Sequence, residues 1–192
     1  MVVGTKCPEI TGLDFLKGSA PSVPPKDGSP AIIEMWASWC GPCRQVFPHL
    51  SDIARKHRDR RLTVVGVTSE ARSVGSFVDQ MGSGMDYVVA RDAAGDCQRK
   101  LAGPAGVRGI PHAFVVAGDR TILYSGHPMD PKFDAAVEKA VAEAKPAKVK
   151  VALVPVSSTR EELLGRSVRE LKAILTERGL SLAGLAEKGD IV

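Results

Sequence analysis

The sequence predicts an α/β fold, a mixed β-sheet flanked by helices, with a small C-terminal helical appendage. Short apolar runs of strand length alternate with segments of helical periodicity along most of the chain. A hairpin pattern and an amphipathic helix close this part. Because a sheet must bury its apolar faces against other elements, this order predicts helices packed on both faces of the sheet.

The composition is that of an ordinary globular protein. The 192 residues are 44% hydrophobic and 25% charged, which suits one domain with a small addition. The net charge of +4 does not by itself indicate a nucleic-acid or membrane partner. The N-terminus lacks the apolar core of a signal peptide, and no apolar run reaches membrane-spanning length. We therefore expect no membrane span and a cytoplasmic location.

The elements can be assigned in order from the apolar patterns. Residues 18–30 are rich in Gly, Ser and Pro and predict a loop before the first buried strand. The expected strands cover residues 31–36, 62–67, 87–90, 113–116 and 121–124, the last two as a hairpin. The expected helices cover about residues 43–57, 73–81, 96–102 and 131–145.

The character of the chain changes after residue 144. We expect a domain over 1–144, a linker over 145–155 and a helical appendage over 156–192. The linker holds two prolines, three lysines and no acidic residue. The appendage carries two capping-box patterns, which begin at Thr159 and Ser167 and predict helix starts.

The most informative motif is the stretch Trp39-Cys40-Gly41-Pro42-Cys43, which lies between an expected strand and an expected helix. At a helix N-terminus, unpaired backbone N–H groups and the helix dipole favour the thiolate form of the first cysteine. The second thiol lies one turn further on, close enough to form a disulfide. Gly41 and Pro42 place no bulky side chain over the first sulfur, and proline suits the first turn of a helix. The motif predicts a redox-active dithiol.

Two other interpretations of this cysteine pair compete with redox chemistry. A zinc site would normally need a second Cys/His pair at ligand spacing, and Cys7 and Cys97 are isolated in the sequence. A purely structural disulfide would need neither an exposed helix N-terminus nor a flanking tryptophan. We therefore favour redox chemistry, expect no metal and no cofactor, and expect Cys7 and Cys97 to be ordinary reduced thiols.

Two separated motifs resemble the thioredoxin superfamily. Residues 36–43 (WASWCGPC) are similar to its active-site stretch, and residues 109–116 (GIPHAFVV) resemble the segment that carries its cis-proline. Residues 8–12 and 125–130 resemble the TlpA/redoxin branch. The resemblance covers about residues 1–144 and implies a thioredoxin-like mixed sheet.

The resemblance also implies roles for the site residues. Cys40 would be an exposed attacking thiol, and Cys43 a more buried thiol that resolves the mixed disulfide. Pro111 would be cis and face the dithiol, which leaves the Ile110 backbone able to pair with an extended substrate. Trp36 would pack in the core. The other expected substrate contacts are Trp39, Gly41 and Pro42.

Glu34 stands in an otherwise apolar strand, six residues before Cys40, where the thioredoxin pattern carries a buried aspartate. A carboxyl group among apolar side chains has a raised pKa, which suits proton transfer with Cys43 near neutral pH. The alternative is that Glu34 lies at the edge of the sheet or pairs with a lysine.

The C-terminal stretch Ser167–Leu180 resembles the first half of a SAP-type helix-loop-helix. It is also similar to the C-terminal helical domain of the mesencephalic astrocyte-derived neurotrophic factor family. Its charges alternate in sign, so the helix would neutralise few phosphates, and we do not expect a nucleic-acid partner. Recruitment of a protein and packing against the first domain both remain open.

The leading hypothesis is a thiol-disulfide oxidoreductase that reduces protein disulfides through Cys40 and Cys43. The Gly-Pro dipeptide between the cysteines resembles reducing thioredoxins. The expected partners are disulfide-containing protein substrates and a dithiol electron donor or reductase. The alternative is an adaptor, with the thioredoxin-like domain as a scaffold and residues 156–192 recruiting a protein or nucleic acid. Intact Cys40, Cys43 and Pro111 argue against a purely noncatalytic role.

Overall fold

The structure, a computed structural model, describes residues 2–20 and 22–144. The expected linker over 145–155 and the expected helical appendage over 156–192 lie outside these described residues. The strands are β1 (Leu13–Lys17), β2 (Ala31–Met35), β3 (Thr63–Thr68), β4 (Val88–Asp92), β5 (His112–Val116) and β6 (Ile122–Gly126). The helices are α1 (Gly41–Lys56), α2 (Gly75–Met81) and α3 (Pro131–Glu143), with short 3₁₀ turns at Arg58–Arg60, Arg72–Val74 and Gly82–Met85 and a π-helical segment at Gln98–Ala102.

The strands form one mixed sheet in the order β1-β4-β3-β2-β5-β6. β2 runs parallel to β3 and antiparallel to β5, while β3 runs parallel to β4. β1 and β6 form the two edges, and both pair antiparallel with their neighbours. The strand that leads into the cysteine motif, β2, is therefore an interior strand with a partner on each side.

The two faces of the sheet are covered by different parts of the chain. Buried residues of α1 and α3, among them Phe47 and Phe133, form one core cluster with Ile32 of β2. Ile33 belongs to a second cluster, because successive side chains of a strand point to opposite faces. The N-terminal segment and the π-helical segment cover this second face, the latter with Leu101. The mixed sheet flanked by helices is thus confirmed.

Helix α1 begins immediately after Cys40, which is its N-cap residue. Pro42 lies in the first turn, where a proline lacks only an N–H that would have no partner within the helix. Arg55 and Lys56 lie in the last turn, where positive charge interacts favourably with the helix dipole. These local features place the start of α1 at the cysteine motif, and the helix continues past Pro48.

Strand β1 was not predicted from the sequence. Asp14 interrupts its apolar residues, so it has no continuous apolar run, and all five of its residues are only half-buried. Its strand conformation comes from antiparallel pairing with β4, in which Leu13 lies opposite Asp92. Because this pairing joins residues far apart in the chain, a local apolar pattern does not reveal it.

Candidate redox site

Cys40 and Cys43 form a disulfide in the structure, with an S–S distance of 2.05 Å and a Cα–Cα distance of 5.3 Å. The Sγ atom of Cys40 caps helix α1 by accepting a hydrogen bond from the backbone N–H of Cys43, at 3.1 Å. The first sulfur therefore lies at the positive end of the helix dipole, next to a backbone donor that would stabilise a thiolate.

The exposure of the two cysteines differs from what the sequence predicted. Cys43 is fully buried, as expected, but Cys40 is only 4% exposed, so the prediction of an exposed Cys40 was wrong. The exposed group at the site is Trp39, whose residue surface is 73% accessible. Gly41 and Pro42 are also exposed.

Trp36 lies in the core, as expected. Its ring is 2% exposed and meets the ring of Phe47 edge-on at a centroid distance of 5.4 Å. It also stacks on Phe77 at 5.8 Å. The two tryptophans of the motif thus have different environments, one in the core and one in solvent.

The segment before β5 also approaches the disulfide. The peptide bond between Ile110 and Pro111 is cis. The carbonyl oxygen of Ile110 lies 3.7 Å from the Sγ atom of Cys40. The structure therefore brings together two motifs that are separated by about seventy residues in the chain.

A groove of about 280 Å³ is lined by residues from both motifs, Trp36 and Trp39 of the first and Gly109 and Ile110 of the second. Apolar groups on its walls include the exposed Trp39 and the half-buried Ile110. Polar side chains also line it, among them those of Glu70, Gln98 and Arg108. The groove thus lies next to the residue before Cys40 and the residue before Pro111.

Glu34 is fully buried in the interior strand β2. Its side chain points to the face that carries Ile32, Trp36 and Cys43, since it alternates with the residues of the other face. Neither of its carboxylate oxygens has a hydrogen-bond partner among the residues described by the structure. The alternative of a sheet-edge position is therefore wrong, and no lysine of the described residues pairs with Glu34. Burial raises the pKa of Glu34 well above its ordinary value.

The indole N–H of Trp36 and the hydroxyl of Tyr87 are also buried without a partner within the described ranges. Both rings lie over Gly66, the residue opposite Glu34 in the β2–β3 ladder. Burial raises the pKa of Tyr87 well above its ordinary value, and the charge of Glu34 raises it further. The carboxyl group thus lies among apolar side chains and two nearby unpaired donors.

Glu70 was missed by the sequence reasoning. It follows β3 and accepts hydrogen bonds from Ser38, in the loop between β2 and α1. Because β2 and β3 are parallel neighbours, their carboxyl ends meet at one edge of the sheet, and polar residues that follow two such strands tend to share a site. The sequence Thr68-Ser69-Glu70 after an apolar run was the available signal.

Most of the chain matches the model of a known protein family. Residues 3–146 match the family model described as Redoxin. The chain belongs to the Redoxin family. Since this match covers three quarters of the chain, the family assignment includes the cysteine motif, Glu34 and the segment before β5.

Several individual proteins resemble this redoxin. The thiol-disulfide oxidoreductase ResA of Bacillus thuringiensis (strain Al Hakam) is 22% identical over 125 residues, which cover 64% of this chain and 68% of ResA. The thiol:disulfide interchange protein CycY of Rhizobium leguminosarum bv. viciae is 32% identical over 99 residues, 50% of this chain and 49% of CycY. A solved thiol:disulfide interchange protein of the thioredoxin family from Chlorobium tepidum TLS has a TM-score of 0.59 at 24% identity, over 72% of this chain and 97% of that one. This last likeness shows the thioredoxin-like fold.

The redoxin is a thiol-disulfide oxidoreductase. Its paired Cys40 and Cys43, its family and the activity named for its relatives agree on this point. The family match ends at residue 146 and gives no support to the SAP-like resemblance of residues 167–180. Among the described residues, no helix has the length and hydropathy needed to cross a membrane.

Proposed function

We propose that this redoxin reduces disulfide bonds in protein substrates, with Cys40 as the attacking thiol and Cys43 as the resolving thiol. The observation that carries the proposal is the position of the Cys40 sulfur at the N-cap of α1, where the Cys43 N–H donates to it at 3.1 Å. This position stabilises the thiolate form of Cys40, and the thiolate is the nucleophile in disulfide exchange.

The reaction consists of two exchanges. The Cys40 thiolate forms a bond to one substrate sulfur, the substrate disulfide breaks, and the other substrate sulfur leaves as a thiolate. Cys43, once deprotonated, then attacks Cys40, which forms the intramolecular disulfide and releases the second substrate thiolate. The structure describes this oxidised end state. A dithiol electron donor or a reductase would restore the two thiols and become oxidised itself.

Glu34 is proposed to accept the proton of Cys43 during resolution. The support is its burial without a partner, on the same face of the sheet as Cys43. A carboxyl group whose pKa is raised by burial is a better match for a thiol than an ordinary exposed carboxylate.

Two of the proposed substrate contacts, Trp39 and Ile110, line the groove. Ile110 and Pro111 bring the backbone before β5 next to Cys40, where an extended substrate segment can pair with it. Trp39 offers exposed apolar surface. Gly41 and Pro42, which follow Cys40, are exposed and offer further contact surface to a substrate.

The experiment is reduction of insulin disulfides with dithiothreitol as the electron donor. Cys40→Ser should abolish turnover because the attacking thiol is gone. Cys43→Ser should accumulate a mixed disulfide between Cys40 and the substrate, visible by mass spectrometry. Cys7→Ala is the matched control, because it removes a buried thiol from the opposite face of the sheet. Full activity of Cys40→Ser would show that the mechanism is wrong.

The adaptor alternative and the cytoplasmic location remain proposals. An adaptor role for residues 156–192 would add to the exchange chemistry rather than replace it, since the disulfide pair and the groove are both present. Fractionation of cells that express the native gene, with detection of the untagged protein, would test the location.

A further inference from the structure

Glu70 takes no part in the exchange steps above, yet its carboxylate is bound to the loop that carries the cysteine motif. One of its oxygens accepts the backbone N–H of Ser38 at 2.5 Å, and the other accepts the Ser38 hydroxyl at 2.7 Å. Glu70 therefore fixes both the backbone and the side chain of Ser38.

Ser38 is held from its other side by helix α1. The guanidinium of Arg44 donates two hydrogen bonds to the Ser38 carbonyl oxygen, at 3.1 and 2.6 Å. The same guanidinium lies over the ring of Phe77, 5.1 Å from its centroid. A chain of contacts thus joins the end of β3, the loop and the first turn of α1. We call Glu70, Ser38 and Arg44 the loop clamp.

The residue that follows Ser38 is Trp39, which is 73% exposed and lines the groove together with Glu70. A side chain with so much solvent around it receives little positioning from packing. The position of the Trp39 side chain at the groove is therefore set by its backbone, which the loop clamp holds in place.

We propose that Glu70 is a positioning residue, which through Ser38 fixes Trp39 at the wall of the groove so that a protein segment can dock beside Cys40. This inference rests on the proposed function, because it assumes a protein disulfide as substrate. A small disulfide that reaches the Cys40 sulfur without contacting Trp39 gains nothing from the clamp. Loss of Glu70 should therefore weaken the use of protein substrates selectively.

Because the loop clamp acts through its hydrogen bonds, Glu70→Gln, which can keep those bonds, is compared with Glu70→Ala, which cannot. In Glu70→Gln, the amide oxygen can accept the Ser38 N–H and the amide N–H can donate to the Ser38 hydroxyl, since a hydroxyl group both donates and accepts. Glu70→Ala removes both bonds. The glutamine variant should therefore behave like the original protein, and the alanine variant should not.

The experiment compares Glu70→Ala, Glu70→Gln and the unaltered chain. It measures KM and kcat for insulin with dithiothreitol as the electron donor, and the second-order rate constant with which the pre-reduced protein, freed of donor, reacts with the small disulfide 5,5′-dithiobis(2-nitrobenzoate). Glu70→Ala should raise KM for insulin by about five- to tenfold, the scale of one lost hydrogen bond. Its rate constant for the small disulfide should stay within about twofold, and Glu70→Gln should stay within about twofold for both substrates. Asp79→Ala, which removes an exposed carboxylate from α2, is the control.

Three results would overturn the inference: an unchanged KM for insulin in Glu70→Ala, an equal loss for both substrates, or a Glu70→Gln variant as impaired as Glu70→Ala.

A second readout does not depend on activity. The chain has two tryptophans, so 5-fluorotryptophan labelling should give two ¹⁹F resonances, which Trp39→Phe assigns. Glu70→Ala should shift or broaden the Trp39 resonance and leave that of Trp36 in place. If the unaltered chain reduces no disulfide, the proposed function fails, and the Trp39 resonance alone decides whether the clamp exists.

Discussion

Glu34 of β2 lies directly opposite Gly66 of β3 in the parallel ladder. A Cβ atom on Gly66 would lie 3.0 Å from the ring of Tyr87 and 3.1 Å from the indole nitrogen of Trp36, so both rings occupy the space that a side chain there would take. On its other side Glu34 faces Ala113. Glu34 thus lies opposite the two smallest residue types, and over Gly66 the rings of Tyr87 and Trp36 fill the space of the missing side chain.

Replacing Glu34 by Gln should slow the resolution step. Without a carboxylate to take the proton of Cys43, the rate of the second exchange should fall by about 100-fold. This is the lower end of what a positioned acid–base group contributes to a rate, about 10²–10⁴. The measurement is single-turnover release of the second thionitrobenzoate after one equivalent of 5,5′-dithiobis(2-nitrobenzoate) reacts with the reduced protein.

The pH dependence of this rate separates a proton-transfer role from a structural one. In the unaltered chain the resolution rate should rise with pH through the raised pKa of Glu34, and this inflection should be absent in Glu34→Gln. Asp79→Asn, an exposed carboxyl group neutralised in the same way, should keep the original profile. The same profile in Glu34→Gln and the unaltered chain would remove Glu34 from the mechanism.

Glu34 should also make folding stability depend on pH. In the unfolded chain its carboxyl group ionises near pH 4.5, whereas burial keeps it protonated to a higher pH in the folded state. Between these two pKa values the folded state binds more protons, so its free energy of unfolding falls as pH rises, by up to about 1.4 kcal/mol per pH unit. Glutamine does not titrate.

Glu34→Gln should therefore gain stability relative to the unaltered chain from about pH 4.5 upward, until the pH passes the folded-state pKa. Urea unfolding of both proteins at a series of pH values checks this. Parallel stability curves would mean that Glu34 ionises alike in the folded and unfolded states.

Gly66→Ala should destabilise the protein. The added methyl group would meet two buried rings at 3.0 and 3.1 Å, and overpacking of this kind costs about 1–3 kcal/mol. Gly75→Ala is the matched control, because a Cβ at Gly75 meets nothing within 4 Å and alanine favours the helix. Thermal or urea unfolding of the two variants gives the comparison. A Gly66→Ala protein as stable as Gly75→Ala would show that the rings move aside freely.

Only Cys40 should react rapidly with iodoacetamide in the reduced, folded protein. Burial raises the pKa of Cys7 and of Cys97 to about 12, so at pH 8 only about one part in 10⁴ of either would be thiolate. Mass spectrometry should find one fast label per folded chain and four labels after denaturation. Fast labelling at Cys7 or Cys97 would contradict their place in the core.

Removal of residues 156–192 should leave the rate of insulin reduction unchanged. The support is that the family match ends at residue 146. Loss of activity would instead assign the C-terminal segment to the catalytic unit. DNA binding by the full chain that weakens with salt and disappears on truncation would restore the SAP-like hypothesis.

The sequence by itself determined the features that depend on neighbouring residues. The capping position of Cys40 and the start of α1 follow from a few adjacent residues, because helix termini are governed by local geometry. The strands that carry continuous apolar runs, such as β2 and β3, and the hairpin of β5 and β6 were predictable for the same reason. The motif alone therefore located the redox centre.

Only the tertiary structure decided what depends on contacts between distant residues. Strand β1 exists through its pairing with β4, and Glu34 is buried because β2 has neighbours on both sides. The hydrogen bonds from Ser38 to Glu70 join residues 32 positions apart, and the approach of Ile110 to Cys40 spans 70. Such contacts form when the whole sheet assembles, since that is when the carboxyl ends of β2 and β3 come together at one edge.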